Sequence, residues 1–212
     1  MQTTKRQTTR QTTRLFFVAL IGLLISPLLV AESQAALSPL SVGLFPPVQF
    51  PPSDFSVTGI RASLLWGRHR DVYGIDVGLL GNITDQSFTG IGVSGLFNAT
   101  HGTTNVIGLQ AAGLANFNTN KTSVYGVQFA TLLNKNDAES SLSGVALSLV
   151  NLSPNMNVYG AQIGIYNKAR AVYGFQIGLV NDCTDLHGLQ IGLVNFHTNG
   201  LFVVAPILNF GF

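Results

Sequence analysis

Apolar and small polar residues alternate along the chain from about residue 57 onward, and the alternation recurs as a repeat. Each copy centres on a glycine, as in "VYGVQFATLLN" and "LHGLQIGLVN", and a turn-forming connection such as "NDCTD" follows it. Successive copies are 14 to 18 residues apart, and the nine motif glycines are Gly59, Gly74, Gly90, Gly108, Gly126, Gly144, Gly160, Gly174 and Gly188. The pattern predicts an all-β repeat domain over residues 57–212.

The two faces of the predicted strands differ in polarity. Positions one and three after the motif glycine are apolar in all nine copies, from Ile60 and Ala62 to Leu189 and Ile191. Neighbouring side chains of a strand point to opposite faces, so these positions form one apolar face. The position two after the glycine lies on the other, small and polar face and holds Arg61, Asp76, Gly92, Gln110, Gln128, Ala146, Gln162, Gln176 and Gln190.

Two architectures are compatible with this repeat. A straight strand of ten residues extends over about 33 Å, whereas the four-residue connection 168–171 reaches at most about 14 Å. Consecutive straight strands are therefore expected to be antiparallel, as in a meander. The alternative is a β-solenoid, in which each copy bends near its second glycine into two short strands and the glutamines stack in a ladder. The drifting interval favours the meander, because solenoid coils are usually near-identical.

The meander predicts an outer-membrane-type barrel of about ten strands, made of the nine copies and residues 201–212. Its apolar face needs a cover, and lipid supplies one for strands of about 9–11 residues. Closure of the sheet also pairs every backbone group. The polar face would line the lumen, with Arg61 close enough to Asp76 to pair. The predicted lumen belt is Arg61, Asp76, Gln110, Gln128, Gln162, Gln176 and Gln190.

The last twelve residues, "LFVVAPILNFGF", predict a membrane-assembly signal. Leu208, Phe210 and Phe212 share one face of the last predicted strand, and the strand ends on an aromatic residue. An apolar strand that ends in Phe resembles the C-terminal signal of bacterial outer-membrane proteins, which the barrel-insertion machinery reads. We therefore expect Phe210 and Phe212 to meet lipid and this machinery.

The tandem "GLQIGLVN" units followed by "PILNFGF" resemble a family of uncharacterised bacterial surface-repeat proteins with spirochaete and Legionella-type members. The resemblance extends over about Val57 to Phe212 and is strongest from Val158 onward. It implies a location at the bacterial surface or outer membrane, and it supplies no catalytic residues.

The N-terminal segment predicts export. Residues 1–14 contain four basic and no acidic residues, an apolar run extends from Leu15 to Ala31, and small residues stand at Ser33 and Ala35. This is the order of a secretory signal peptide over residues 1–35, with cleavage after Ala35. A retained membrane anchor is the alternative, for which the run is short. Of 11 basic and 9 acidic residues, seven and eight remain after cleavage, so no nucleic-acid partner is indicated.

Residues 36–56 form a proline-rich segment between the signal and the repeats. Five prolines lie between Leu37 and Phe55, and proline cannot donate to a sheet ladder. We therefore do not expect a central strand here. The segment either enters or caps the barrel lumen or forms an exposed linker.

Few residues suggest chemistry. Cys183, Asp182, Asp185 and His187 lie close together, and we interpret them as a polar turn between two copies, with His187 at a position that holds tyrosine in the preceding copies. His69, which has basic neighbours in "WGRHRD", is assigned to a solvated loop. The strands carry no nucleophile and base at a suitable spacing. We predict no enzyme activity, no cofactor and no metal, and the ligand stays unidentified.

These observations together predict an exported β-barrel at the bacterial outer membrane or cell surface, with a structural, adhesive or pore role. Outer-membrane lipid and the barrel-insertion machinery are its expected partners. The alternative, from a different class, is a soluble, surface-displayed β-solenoid that binds a partner or carbohydrate through its regular faces.

Overall fold

A computed structural model describes residues 36–212, so the predicted signal peptide lies outside the described residues. The described chain consists of strands joined by short turns, and it contains no helix. The sixteen strands are β1 (Leu37–Phe45), β2 (Val48–Phe50), β3 (Ser56–Ser63), β4 (Trp66–Gly78), β5 (Gly81–Ser94), β6 (Phe97–Thr100), β7 (Thr103–Ala112), β8 (Ala115–Asn118), β9 (Thr122–Ala130), β10 (Leu133–Asn136), β11 (Ser140–Leu147), β12 (Val150–Leu152), β13 (Met156–Ile163), β14 (Tyr166–Ile177), β15 (Val180–His197) and β16 (Val204–Gly211).

The repeat strands are parallel and stack in register, so the chain winds as a β-solenoid. Motif glycines of consecutive coils lie side by side, as Gly144 beside Gly160 in β11 and β13 and Gly174 beside Gly188 in β14 and β15. The exception is Gly90, which pairs with Val106 where the register shifts between β5 and β7. The all-β prediction is confirmed. The predicted antiparallel meander, its closure into a ten-strand outer-membrane barrel and its transmembrane strands are wrong.

The meander prediction failed because it treated each copy as one straight strand. Beyond a small residue four positions after the glycine, the chain turns a corner and continues as a second strand, as from β9 through Thr131 and Leu132 into β10. Each copy thereby completes one coil, and a short connection suffices to start the next. Differences in the length of that connection account for most of the variation in repeat length. In β14 the strand continues through the connection without a break, whereas residues 119–121 separate β8 from β9.

Every coil contributes one strand to each of two faces. The first face carries the motif glycines and consists of β3, β7, β9, β11, β13 and the C-terminal parts of β4, β5, β14 and β15. The second face consists of β6, β8, β10, β12 and the N-terminal parts of the same four long strands.

The interior between the faces is built from rows with one residue per coil. One row is apolar and fully buried or nearly so, and it comprises Val57, Val72, Phe88, Val106, Val124, Leu142, Val158, Val172 and Leu186. Amides, hydroxyls and small residues form the other interior rows. Phe88 is the largest member of the apolar row, and its ring lies 3.1 Å from where a Cβ on Gly92 would stand. The larger ring therefore explains why this coil has glycine in place of glutamine.

The motif glycine is required by backbone geometry. Gly126 has a φ of +131°, a region that residues with a Cβ rarely adopt, and a Cβ there would lie 2.1 Å from the carbonyl oxygen of Gly108 on the preceding coil. Because that obstacle is backbone, it cannot move aside. The glycine row thus permits close approach of consecutive coils on the first face.

Both ends of the solenoid are covered by additional strands. At the N-terminal end, β1 pairs parallel with β3, and β2 folds back antiparallel on β1. The proline-rich segment therefore forms a two-stranded cap and neither enters a barrel lumen nor hangs free as a linker. At the C-terminal end, β16 pairs antiparallel with β15.

Candidate binding surface

The residues predicted to line a lumen are buried inside the solenoid. The five glutamines are at most 1% exposed. Gln128 donates to Gln110 (Nε2 to Oε1, 2.9 Å), and Gln190 donates to Gln176, which donates to Gln162 (both 2.8 Å). Ala146 separates these two ladders, and Nε2 of Gln162 has no hydrogen-bond partner. The glutamine row therefore fills the interior as structural ladders and leaves no channel.

Arg61 and Asp76 also lie in this row, on neighbouring strands β3 and β4, and form a buried ion pair. Arg61 additionally donates to the carbonyl of Ile83 at 2.8 Å. His69 lies beside the pair, fully buried, and its Nε2 is 3.2 Å from the carbonyl oxygen of Pro51. Burial, helped by the positive charge of Arg61, lowers the pKa of His69 to about 4. The assignment of His69 to a solvated loop was wrong, because the chain alternates inward and outward through this segment.

A row of asparagines on the second face is the strongest interior ladder, and the sequence analysis missed it. Each amide from Asn82 to Asn181 donates to the next coil's asparagine at 2.8–3.0 Å and also to a backbone carbonyl at the end of a first-face strand. The signal was the Asn that closes eight of the nine repeat copies; the first copy has Gly67 there. The row comprises Asn82, Asn98, Asn116, Asn134, Asn151, Asn167, Asn181 and Asn195.

The segment around Cys183 is a strand and not the predicted polar turn. The Cys183 side chain points inward and is fully buried in β15, whereas Asp182 and Asp185 lie on the outer side. Burial, followed by the nearby charges of Asp182 and Asp185, raises the pKa of the thiol to about 12. Among residues 36–212, no group of three or more His, Cys, Asp or Glu side chains could hold a metal ion. The segment therefore offers neither a reactive thiol nor a metal site.

His187 takes part in an aromatic row on the outer side of the first face. Its ring stacks on Tyr173 with centroids 4.5 Å apart, and Tyr173 stacks on Tyr159 at 4.9 Å. Such offset stacks contribute about 0.5–1.5 kcal/mol beyond the buried area. The shared position that the sequence indicated for these three residues thus corresponds to a physical stack across three coils.

The outer surface is largely apolar, and its most regular feature is the corner at which the first face turns into the second. One aliphatic residue per coil stands there, and from Leu96 onward each is 38–65% exposed. We call this row the leucine corner, and it comprises Leu65, Leu80, Leu96, Leu114, Leu132, Leu149, Ile165, Leu179 and Leu193. The rows next to the corner are also apolar, with Phe129 and Ile177 on the first face and Trp66 and Phe97 on the second.

An open groove of about 720 Å³ runs along the leucine corner over the C-terminal coils. One ridge holds outward residues of the first face such as Phe129, Leu147 and Ile177, and the other holds corner residues such as Leu149 and Leu193. Small residues form the floor between the ridges. The groove is therefore an elongated apolar cleft that follows the solenoid axis.

Exposed charged side chains lie away from the leucine corner, on the outer side of the second face and at the corner opposite. Those on the second face share the row of Phe117 and are Arg68, Lys135, Lys168 and Asp182. Twelve of the fifteen charged residues between 36 and 212 follow the asparagine position of a coil and precede the apolar interior residue of the next; of the others, Arg61 and Asp76 are buried and Asp54 lies in the N-terminal turn. We call these twelve the charged edge. It contains six basic and six acidic residues: Arg68, Arg70, Lys121, Lys135, Lys168, Arg170, Asp71, Asp85, Asp137, Glu139, Asp182 and Asp185.

Phe210 and Phe212 lie at the C-terminal end of the solenoid. Both are exposed, and their rings meet edge to face with centroids 5.7 Å apart. Asn209, which precedes Phe210, points inward and donates to Gln190. These residues belong to the C-terminal segment whose strand β16 covers the last coil. Their role in membrane assembly stays a prediction, although the barrel from which it was inferred is not formed.

Comparison with family models, with curated proteins and with solved structures finds no match to this chain. The resemblance to surface-repeat proteins therefore stays a prediction. Within residues 36–212, no helix has the length and hydropathy needed to cross a membrane.

Proposed function

We propose that this protein is an exported, non-catalytic β-solenoid that acts as a binding scaffold at the bacterial outer membrane or cell surface, with the leucine corner as its binding surface. The observation that carries the proposal is the inverted distribution of polarity. Amides fill the interior, while aliphatic side chains recur once per coil on the outside. The pore role belonged to the barrel and is not retained.

An apolar surface of this extent supports a binding role. Single exposed apolar residues are ordinary, but contiguous patches larger than a few hundred Å² mark interaction sites. Adjacent coils are about 4.8 Å apart, so the nine corner residues extend over about 38 Å. No charged residue of the described chain lies in the leucine corner itself. The N-terminal pattern of a signal peptide supports export.

Binding of non-ionic detergent micelles tests this role. The full chain is expressed with export, purified, and compared with the variant Leu132→Lys/Leu149→Lys, which places two charges on adjacent coils of the corner. We expect the unmodified protein to bind micelles in sedimentation equilibrium and the variant to lose most of that binding. Absence of micelle binding by the unmodified protein would contradict the proposed function.

The control variant is Ser123→Lys/Ser141→Lys. These serines pair across adjacent first-face strands of the same two coils, away from the leucine corner, and both are half-exposed. The control adds the same charge at the same spacing and should keep micelle binding. Equal loss in both variants would show that added charge, and not its place on the corner, decides the result.

A further inference from the structure

We infer that the partner of the leucine corner is a lipid bilayer, in whose interfacial region the solenoid lies lengthwise with the charged edge toward water. The inference rests on the proposed function and specifies its partner. Three observations carry it: the hydrogen bonding of the corner backbone, the shape of the apolar surface and the arrangement of charge.

The backbone of the corner is already paired. Successive coils bond to each other through the turn itself, as in Leu114 N to Leu96 O (2.8 Å), Leu132 N to Leu114 O (2.9 Å) and Ile165 N to Leu149 O (2.8 Å). Hydrocarbon offers no hydrogen bonds, and each unpaired backbone group placed in it costs several kcal/mol. Turns usually leave some backbone N–H and C=O groups without a hydrogen bond. Here the turns of successive coils stack in register, so their backbone groups bond to each other.

The apolar surface is convex and continues onto both faces. Trp66 and Phe97 flank the corner on the second face, and Val127 and Phe129 lie beside it on the first. A second copy of the chain placed against either face would leave the other one exposed. A lipid bilayer can contact the leucine corner and both adjoining faces at the same time. Interfacial proteins bury their apolar surfaces about 5–10 Å deep in a bilayer. The groove along the corner gives acyl chains a concave contact as well.

The charge distribution allows the leucine corner to enter the bilayer but does not favour attraction to anionic lipid. Eight residues of the charged edge lie at the corner opposite the leucine corner, and the other four lie on the outer side of the second face, beyond the row next to the leucine corner. The six basic and six acidic residues cancel. An electrostatic anchor needs a basic excess near the membrane surface. We therefore expect burial of apolar area to dominate binding, with similar affinity for zwitterionic and anionic bilayers and little dependence on salt.

Flotation with vesicles tests the partner. The purified protein should float with phosphatidylcholine vesicles and with vesicles that contain 30% phosphatidylglycerol, to within about twofold, at low and at high salt. The variant Leu132→Lys/Leu149→Lys should partition at least tenfold less, and Ser123→Lys/Ser141→Lys should match the unmodified protein. Circular dichroism confirms that each variant retains its strands.

Three outcomes would overturn the inference. Binding to micelles without binding to vesicles, together with a concentration-dependent dimer, would assign the corner to a second copy and leave the proposed function intact. Binding only to anionic vesicles that high salt abolishes would assign it to basic side chains. Unchanged flotation of the Leu132→Lys/Leu149→Lys variant would place the contact elsewhere on the chain.

Fluorescence tests the lengthwise orientation. Trp66 is the single tryptophan of the chain and lies beside the corner near the N-terminal end of the solenoid. A second reporter, Leu193→Trp in a Trp66→Phe background, lies on the corner near the C-terminal end. Brominated lipids should quench both reporters to a similar extent. Quenching of one reporter alone would indicate end-on insertion and contradict the lengthwise placement.

Discussion

Arg61 and Asp76 form a two-point ion pair inside the solenoid, with Arg61 Nε 2.7 Å from Oδ1 of Asp76 and a terminal guanidinium nitrogen 2.6 Å from Oδ2. Arg61 is fully buried and Asp76 is 2% exposed. The pair occupies the row that holds glutamine in five other coils. Two charges of opposite sign thus replace an amide ladder at the N-terminal end of the interior.

Asp76→Asn is expected to destabilise the protein by about 3–5 kcal/mol, because it leaves the guanidinium of Arg61 buried without its counter-charge. The double variant Arg61→Gln/Asp76→Gln restores the amide pair found elsewhere in the row and should lose less stability than Asp76→Asn alone. Urea unfolding measures both differences. A loss below about 1 kcal/mol for Asp76→Asn would indicate that water reaches the interior at this end.

Asn151→Asp tests the asparagine ladder. Asn151 accepts from Asn134 and donates to Asn167 and to the carbonyl of Ile163. The isosteric aspartate would face two oxygens where the amide donates, so we expect a loss of about 3 kcal/mol or more at neutral pH. In the exposed control Asn120→Asp, the side-chain oxygen that accepts from the Lys121 amide is kept, and stability should stay within about 0.5 kcal/mol. Similar losses in both variants would contradict a ladder role.

His69 should make stability depend on pH below neutrality. Its pKa is about 4 in the folded protein and about 6.5 in the unfolded chain, so between these values the unfolded chain binds more protons. The contribution of His69 is therefore complete above about pH 6.5 and is lost as pH falls toward 4, by about 3 kcal/mol in total. Denaturant titrations from pH 7.5 to 4 should show this decline, and His69→Gln should flatten it. An identical decline in the variant would assign it to other groups.

Ile207 carries a backbone strain that substitution should relieve. Its φ is +67°, a genuine outlier for a β-branched residue, and its side chain is 73% exposed in β16. Ile207→Gly should stabilise the protein by about 1 kcal/mol, because glycine adopts this conformation without a steric penalty. The neighbouring control Leu208→Gly, at a residue without a positive φ, should destabilise it. Thermal unfolding compares the two, and a lower midpoint for both would show that Ile207 is not strained.

Much of the local structure was readable from the repeat. The alternation after each motif glycine predicted strands with a polar face turned inward and an apolar face turned outward. The structure places Gln110 and Gln190 in the interior and leaves Ile75 and Ile191 exposed. It also brings Arg61 and Asp76 onto adjacent strands. The asparagine row was visible at the end of eight of the nine repeat copies but was treated as part of a turn.

The sequence by itself determined that the chain is a β repeat, which residues share a face and which glycines recur. The tertiary structure alone decided that each copy bends at a corner such as Thr131–Leu132 and stacks parallel on its neighbour. The physical reason is that period-two alternation fixes the face on which a side chain lies, and this is the same in parallel and antiparallel sheets. Whether neighbouring strands run parallel or antiparallel depends on whether the chain turns within each copy or only between copies. The turn within a copy is stabilised by contacts between coils, such as the Asn134–Asn151 hydrogen bond, and no single copy contains such contacts.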